Sequence, residues 1–248
     1  MIPSQIRKVL STLSCKNVRY LLCGGQACVW YGALQFSADC DIVIAAEVAN
    51  LARLSSAMDG LTAACIAVPR LEFESLRRGH VVHFRVAEPD QLPVRIDVIA
   101  AMRATGSFRE LWERRYSVVE DGVPLELLSL PDLVQAKKTQ RDKDWPIIRR
   151  LVEANYAENR PSPSAVHLDF WLQECRTPGI LFELAANFPE RLAHNLDKRP
   201  LLEFAARADE SGLTHALAEE QRLESEADRA YWAPLKAELE QLRLGRRG

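Results

Sequence analysis

The sequence predicts an α/β protein: a mixed β-sheet flanked by helices over residues 1–160, followed by an all-helical region over residues 161–248. Three observations carry this. Through the first hundred residues, short apolar runs of strand length alternate with stretches of helical spacing, the pattern of a sheet covered by helices. From Leu127 onward the periodicity is helical, and residues 165–248 contain no convincing strand. Between the two regions, Arg160-Pro-Ser-Pro-Ser164 is the clearest linker in the chain. A chain of 248 residues that is 48% hydrophobic can bury one sizeable core, or one core plus a smaller helical unit.

The elements follow in order. Residues 6–13 have helical spacing, and residues 18–23 are a compact apolar run of strand length. Residues 28–34 read as a short buried helix after a turn at Gly24-Gly25. The uncharged stretch 20–37 imitates a membrane span, but Gly24, Gly25 and Gln26 interrupt it, Gln35 closes it, and an Asp-x-Asp follows at once. Residues 40–45 are again a strand. Residues 47–58 place Val48, Leu51, Ala52, Leu54 and Ser55 at helical intervals until Asp59-Gly60 stops them. Strands recur at 81–86 and 94–100, separated by the turn-rich Glu88-Pro89-Asp90. Ser129-Leu-Pro-Asp132 has capping-box spacing with a proline in the first turn, opening a helix to about Gln140. Asp144-Trp-Pro146 starts another, and residues 213–244 are one or two long helices broken near Pro234.

With 32 Lys and Arg against 34 Asp and Glu, the net charge of −2 gives no chain-wide basic field for DNA. Residues 1–160 hold 21 basic and 19 acidic residues, and the remainder 11 and 15. The surplus lies mainly in Lys137, Lys138, Arg141, Lys143, Arg149 and Arg150, a solvated helix face or a surface for phosphate. The six cysteines form no CxxC pair and do not combine with the histidines at zinc-finger spacing, so buried free thiols are expected. Ser4, Gln5, Arg7 and Lys8 break any secretory core. A reduced, cytoplasmic setting is the expectation.

Three carboxylates stand in or beside apolar strands, where charge is costly unless compensated. Asp39 and Asp41, two apart, share one face of a strand while Cys40 points to the other. Asp97 lies in Val94-Arg-Ile-Asp-Val-Ile99, a strand that could lie beside the first. Three carboxylates on one face suit divalent metal and phosphoryl chemistry. The bland alternative has Asp39 at a strand end and Asp97 paired with Arg95 or Arg85. Gly24-Gly25, between a strand and a helix, leaves backbone amides accessible to phosphate oxygens. His80 and His83, three apart and so on opposite faces, are expected to be structural. Trp112, Trp145, Trp171 and Trp232 read as core or interface anchors.

On these residues the sequence resembles the nucleotidyltransferase (polymerase beta-like) superfamily. Leu21-Leu-Cys-Gly-Gly-Gln-Ala27 and Phe36-Ser-Ala-Asp-Cys-Asp-Ile42 match its glycine turn, short helix and strand Asp-x-Asp, and Asp97 takes the place of its third carboxylate. Asp132-Leu-Val-Gln-Ala-Lys137 and Arg141-Asp-Lys-Asp144 look like a helix motif of many bacterial members. The similarity covers about residues 15–155. It implies that Gly24, Gly25 and Ser37 line a triphosphate, that Asp39 and Asp41 hold Mg²⁺ (or Mn²⁺), and that Asp97 binds a second metal and helps deprotonate the acceptor. Lys137 would meet the phosphates. Competing roles are a backbone-bonded hydroxyl for Ser37, a surface lysine for Lys137, and an N-cap for Asp144.

The expected function is Mg²⁺-dependent transfer of a nucleoside monophosphate from an NTP to a hydroxyl of a tRNA, a protein or a small molecule, as in some toxin–antitoxin systems. The alternative is a degenerate member acting as an interaction module. Its helical C-terminal region, with Leu213, Leu217, Leu235, Leu239 and Leu242 on a partial stripe, would dock a partner protein or a second copy.

Overall fold

A computed structural model describes residues 2–87 and 92–245; the turn expected at Glu88-Pro89-Asp90 lies outside them. The described residues cluster into two units. One takes in the chain up to Trp30, residues 34–136 and the stretch from Ala230 onward; the other takes in residues 31–33 and 137–229.

The first unit carries α1 (Ser4–Cys15), β1 (Tyr20–Cys23), α2 (Gly24–Trp30), β2 (Cys40–Ile44), α3 (Val48–Gly60), β3 (Ala64–Cys65), α4 (Phe73–Arg77), β4 (Val82–Val86) and β5 (Val94–Ile99). It continues with α5 (Phe108–Glu113), β6 (Tyr116–Glu120), β7 (Val123–Leu127) and α6 (Leu130–Lys137), whose last residue falls in the second unit. The strands form one mixed sheet in the order β3-β4-β5-β2-β1-β7-β6. The β1–β2, β3–β4, β4–β5 and β6–β7 pairs are antiparallel, while β2–β5 and β1–β7 are parallel. On β4 and β5, Val82, Phe84, Val94, Ile96 and Val98 are buried, whereas Arg85 and Arg95 face out and His83 and Asp97 are half-buried. That period of two gives these strands one core face and one open face.

α1 buries Ile6, Val9, Leu10 and Leu13, the i, i+3, i+4, i+7 stripe read from the sequence. Two expectations need correction in phase or bounds. α2 starts at Gly24 itself and stops at Trp30, so the two glycines are its first residues rather than a turn before it. α3 runs through Asp59-Gly60, buries Asn50, Leu54, Ala57 and Met58, and leaves Val48 exposed. Asn50 turns inward because all its bonding groups are used: Oδ1 accepts from the Arg19 amide at 2.8 Å, and Nδ2 donates to the Arg19 and Ala45 carbonyls at 3.0 Å each.

The second unit holds a 3₁₀ turn at Asp142–Asp144, then α7 (Trp145–Asn159), α8 (Ala165–Glu174), α9 (Pro178–Asn187), α10 (Pro189–Asn195), α11 (Leu202–Ala206) and α12 (Glu210–Gly245). Residues 160–164 connect α7 to α8 within this unit, and Ser164 closes a capping box at the start of α8. α12 is one continuous helix of 36 residues with Pro234 inside it, not a helix broken there. Proline deletes one ladder bond, and here the buried neighbour Leu235 anchors the next turn. Trp145 and Trp171 are core residues as expected. Cys23, Cys28, Cys40 and Cys175 are buried thiols, while Cys15 and Cys65 are exposed. Among the described residues no helix is long and apolar enough to cross a membrane.

Candidate functional site

The site is assembled by strand register. Cys23 on β1 pairs with Asp41 on β2, Asp41 with Asp97 on β5, and Asp97 with His83 on β4. Paired residues project to the same side of a sheet, so two acids and a histidine stand in one row. Asp39 lies two residues before Asp41, exposed at the mouth of the strand; Cys40 between them is fully buried on the core face. Burial pushes the Cys40 thiol up, and Asp41, Asp97 and Asp39 push it further.

Glycine is required where α2 meets β2. A Cβ on Gly24, whose φ is +59°, would fall 1.8 Å from Asp41 Oδ2, and one on Gly25 would fall 2.2 Å from Ser37 Oγ. The space thus cleared lets the Gly25 amide donate to Asp41 Oδ2 at 3.2 Å. Gln26, fully buried, donates to the Ser37 carbonyl at 2.6 Å and pins the segment leading into the acids. The Ser37 hydroxyl reaches the Asp39 carbonyl at 3.5 Å, the backbone role weighed for it from sequence.

Asp97 is engaged on one oxygen. Arg95 Nε donates to its Oδ1 at 2.7 Å, and His83 Nδ1 lies 2.8 Å from the same atom and 3.0 Å from Arg95 Nη2. With a proton on Nδ1 the imidazole donates to Asp97; without one it accepts from Arg95. Burial works against ionising Asp97, but the hydrogen bonds from His83 and Arg95 outweigh it and hold the carboxyl below its ordinary range. The pairing of Asp97 with Arg95 is the bland alternative raised above. His83, expected to be structural, stands on the same face and hydrogen-bonds to Asp97. The signal was present: Val-His-Phe-Arg-Val and Val-Arg-Ile-Asp-Val both alternate, and adjacency of the two strands places positions 83, 85, 95 and 97 on one face. His80 is indeed turned elsewhere, toward Glu238 of α12 at 2.7 Å.

Lys137 lies in the second unit, with only 11% of its side chain exposed. Its Nζ meets Asp144 Oδ1 at 3.4 Å, while Thr139 Oγ1 and Arg141 Nε donate to Asp144 Oδ2 at 2.6 and 2.7 Å. Asp144 precedes α7 without any side-chain capping bond, so its carboxylate organises this cluster instead of capping. Of the basic run, Lys137, Lys138, Arg141 and Arg149 are all in ion pairs.

Asp39 and Asp41 present hard carboxylate oxygens, the donor type that Mg²⁺ or Mn²⁺ takes, and so fit such an ion. Among the described residues no group of three His, Cys, Asp or Glu side chains converges at metal-ligand spacing, and Asp97 is bonded to Arg95 and His83 as described.

Two solved structures are similar to this chain. An antigenic nucleotidyltransferase-like protein from Paracoccidioides brasiliensis superposes with a TM-score of 0.43 at 18% identity, over 84% of this chain and 94% of that one. JHP933 from Helicobacter pylori gives 0.42 at 14% identity over 94% of each chain. No protein-family model and no curated protein matches the sequence. Likeness at this level carries no argument about chemistry, which rests on the residues of the site.

Proposed function

We propose that the protein is a nucleotidyltransferase in which an acceptor hydroxyl attacks the α-phosphate of an NTP, taking up the nucleoside monophosphate and releasing pyrophosphate. One observation carries the reading: Asp41 and Asp97 pair in register on adjacent parallel strands, with Asp39 two residues before Asp41, beside the Gly24-Gly25 start of a helix. Acids placed side by side on the open face of the sheet serve no packing purpose. Asp39 and Asp41 would hold Mg²⁺ or Mn²⁺, which when bound would neutralise charge on the triphosphate and orient it for in-line displacement. Gly24 and Gly25 bring the helix start up against Asp41 and Ser37, and these three residues, Gly24, Gly25 and Ser37, would line the triphosphate. Asp97, hydrogen-bonded to Arg95 and His83, would orient the acceptor hydroxyl and help to take its proton.

The acceptor would be a hydroxyl of a protein, a small molecule or a tRNA end; Lys137 and Lys138 are held by Asp144 and Glu174, while Arg141 and Arg149 keep more than half of their side chains exposed. The interaction-module alternative draws on the leucine stripe, but Leu213, Leu217 and Leu235 are buried within this chain. The test is incubation with each α-labelled NTP and Mg²⁺ in a lysate depleted of small molecules, then in one depleted of protein. Label should enter one acceptor fraction with the wild type and fall at least about a hundredfold with Asp41→Asn, the scale on which removal of a transition-state electrostatic contact is felt. Transfer that Asp39→Asn and Asp41→Asn both leave intact would refute the reading.

A further inference from the structure

β6 ends the sheet at the edge opposite β3, and its register says which backbone groups face outward. The two-residue turn Asp121-Gly122 is closed by the Glu120–Val123 pair, so bonding to β7 alternates from there. Glu120, Val118 and Tyr116 bond inward, whereas Ser117 and Val119 turn their N–H and C=O groups away from β7. Pro124, opposite Val119, has no N–H to give and fits that phase. Among the described residues no other backbone bond reaches Ser117 or Val119; Ser117 is exposed, and Val119 is 67% exposed. β3, at the other edge, is blunted by being two residues long. β6 has five residues in unbroken register, with no lysine, proline or bulge, the devices that keep an edge from pairing.

We propose that β6 pairs antiparallel with β6 of a second copy of this chain, about a two-fold axis at Val118. The strand is self-complementary in this register. Ser117 and Val119 exchange backbone hydrogen bonds with Val119 and Ser117 of the second copy, and Val118 meets Val118. Arg115, just before the strand, falls opposite Asp121, just after the other, so opposite charges meet at both ends. In-register parallel pairing would set like against like. Arg115 holds Glu126 and the Trp112 carbonyl through Nε and Nη1, and Asp121 meets Arg7 through Oδ2. Arg115 Nη2 and Asp121 Oδ1 are the atoms that reach across.

The test is sedimentation of the full chain across concentration. A strand pair this short is a small interface of the weak class, so the wild type should move from monomer at about 1 µM toward dimer at about 1 mM. Val119→Pro removes an outward N–H without touching the β7 ladder and should stay monomeric throughout. Position 119 lies diagonal to its own copy across the axis, so Val119→Lys and Val119→Glu should each be monomeric alone, while an equimolar mixture of the two should dimerise. A wild type that stays monomeric overturns the proposal and leaves the edge to an extended segment of another protein. A dimer that Val119→Pro leaves intact, or a mixture that stays monomeric, overturns it in favour of another surface. A measurement on the wild type guards against a misfolded variant: amide exchange at Ser117 and Val119 should slow about tenfold at the highest concentration, and exchange there unchanged by dimerisation overturns the pairing.

Discussion

Gly24 shows how much a site can depend on an atom that is missing. With φ at +59° and a hypothetical Cβ 1.8 Å from Asp41 Oδ2, Gly24→Ala combines left-handed strain with displacement of the carboxylate. The expected cost is about 2–3 kcal/mol in thermal or urea unfolding, together with loss of Asp41-dependent Mn²⁺ binding. Gly60 is the control. A Cβ there meets nothing within 4 Å and its backbone is not left-handed, so Gly60→Ala should be neutral or slightly stabilising. Equal effects of the two substitutions would show that the close approach at Gly24 is unimportant. The pairing of glycines with an Asp-x-Asp was legible from spacing alone, but their work was not. They admit Asp41 and Ser37 to the backbone, a contact between residues 16 apart that only the register of β1 on β2 reveals.

Glu220 carries a comparable lesson in the second unit. It accepts from Arg199 Nε at 2.9 Å and from Arg176 Nη1 at 2.5 Å, and Arg199 also donates to the Leu172 and Cys175 carbonyls. Burial opposes its charge, but the Arg199 hydrogen bond and the charges of Arg199, Arg176 and Lys138 win, leaving its pKa below 4.5. A depressed carboxylate contributes stability above its unfolded pKa and loses it as pH falls through the folded one. Glu220→Gln should therefore cost about 3 kcal/mol at pH 7, because Arg199 is left buried without its counter-charge. The gap from wild type should hold down to pH 4.5 and close below it in urea titrations.

Elements with strong local chemistry were readable, and those defined by partners were less so. The Ser129-Leu-Pro-Asp132 signal marks the start of α6, with the Asp132 amide donating to Ser129 Oγ at 3.3 Å. Its end comes at Lys137, earlier than the pattern suggests. The β6–β7 hairpin had a signal that periodicity over longer windows passes by: Asp121-Gly122, both with positive φ of 50° and 79°, is the two-residue turn that right-twisted strands prefer. α5 is a short helix of 6 residues held by its capping box, Ser107 Oγ accepting from the Glu110 amide. So short a helix has little propensity of its own. Ser107→Ala should cost about 1 kcal/mol, seen as faster amide exchange confined to residues 108–113; uniform protection after the substitution would mean that packing of Leu111 alone holds the helix.

The sequence divides the chain into a sheet-bearing region up to residue 160 and an all-helical one after it, yet residues from Ala230 onward cluster with the sheet-bearing unit, which patterning could not foresee. The contact is specific. Glu238 takes His80 Nε2 at 2.7 Å and Arg78 Nη1 at 3.2 Å, and Leu235 and Tyr231 lie against Gly79, whose φ of +99° permits the close approach. The His80 side chain has no exposure at all, and Leu235 is 7% exposed. An appendage could be removed without effect on the sheet; a structural strap could not. Leu235→Ala should lower stability by about 2 kcal/mol through lost burial and the cavity left behind. For a protein of this size that is a fall of about 4–8 °C in melting temperature. Removing residues 230–248 should cost more, since it also strips His80 of its carboxylate partner and opens it to water. The decisive readout is proteolysis near residues 75–80: faster cleavage there in both variants supports the strap, and a pattern identical to wild type would return the C-terminal turns to the status of a free tail.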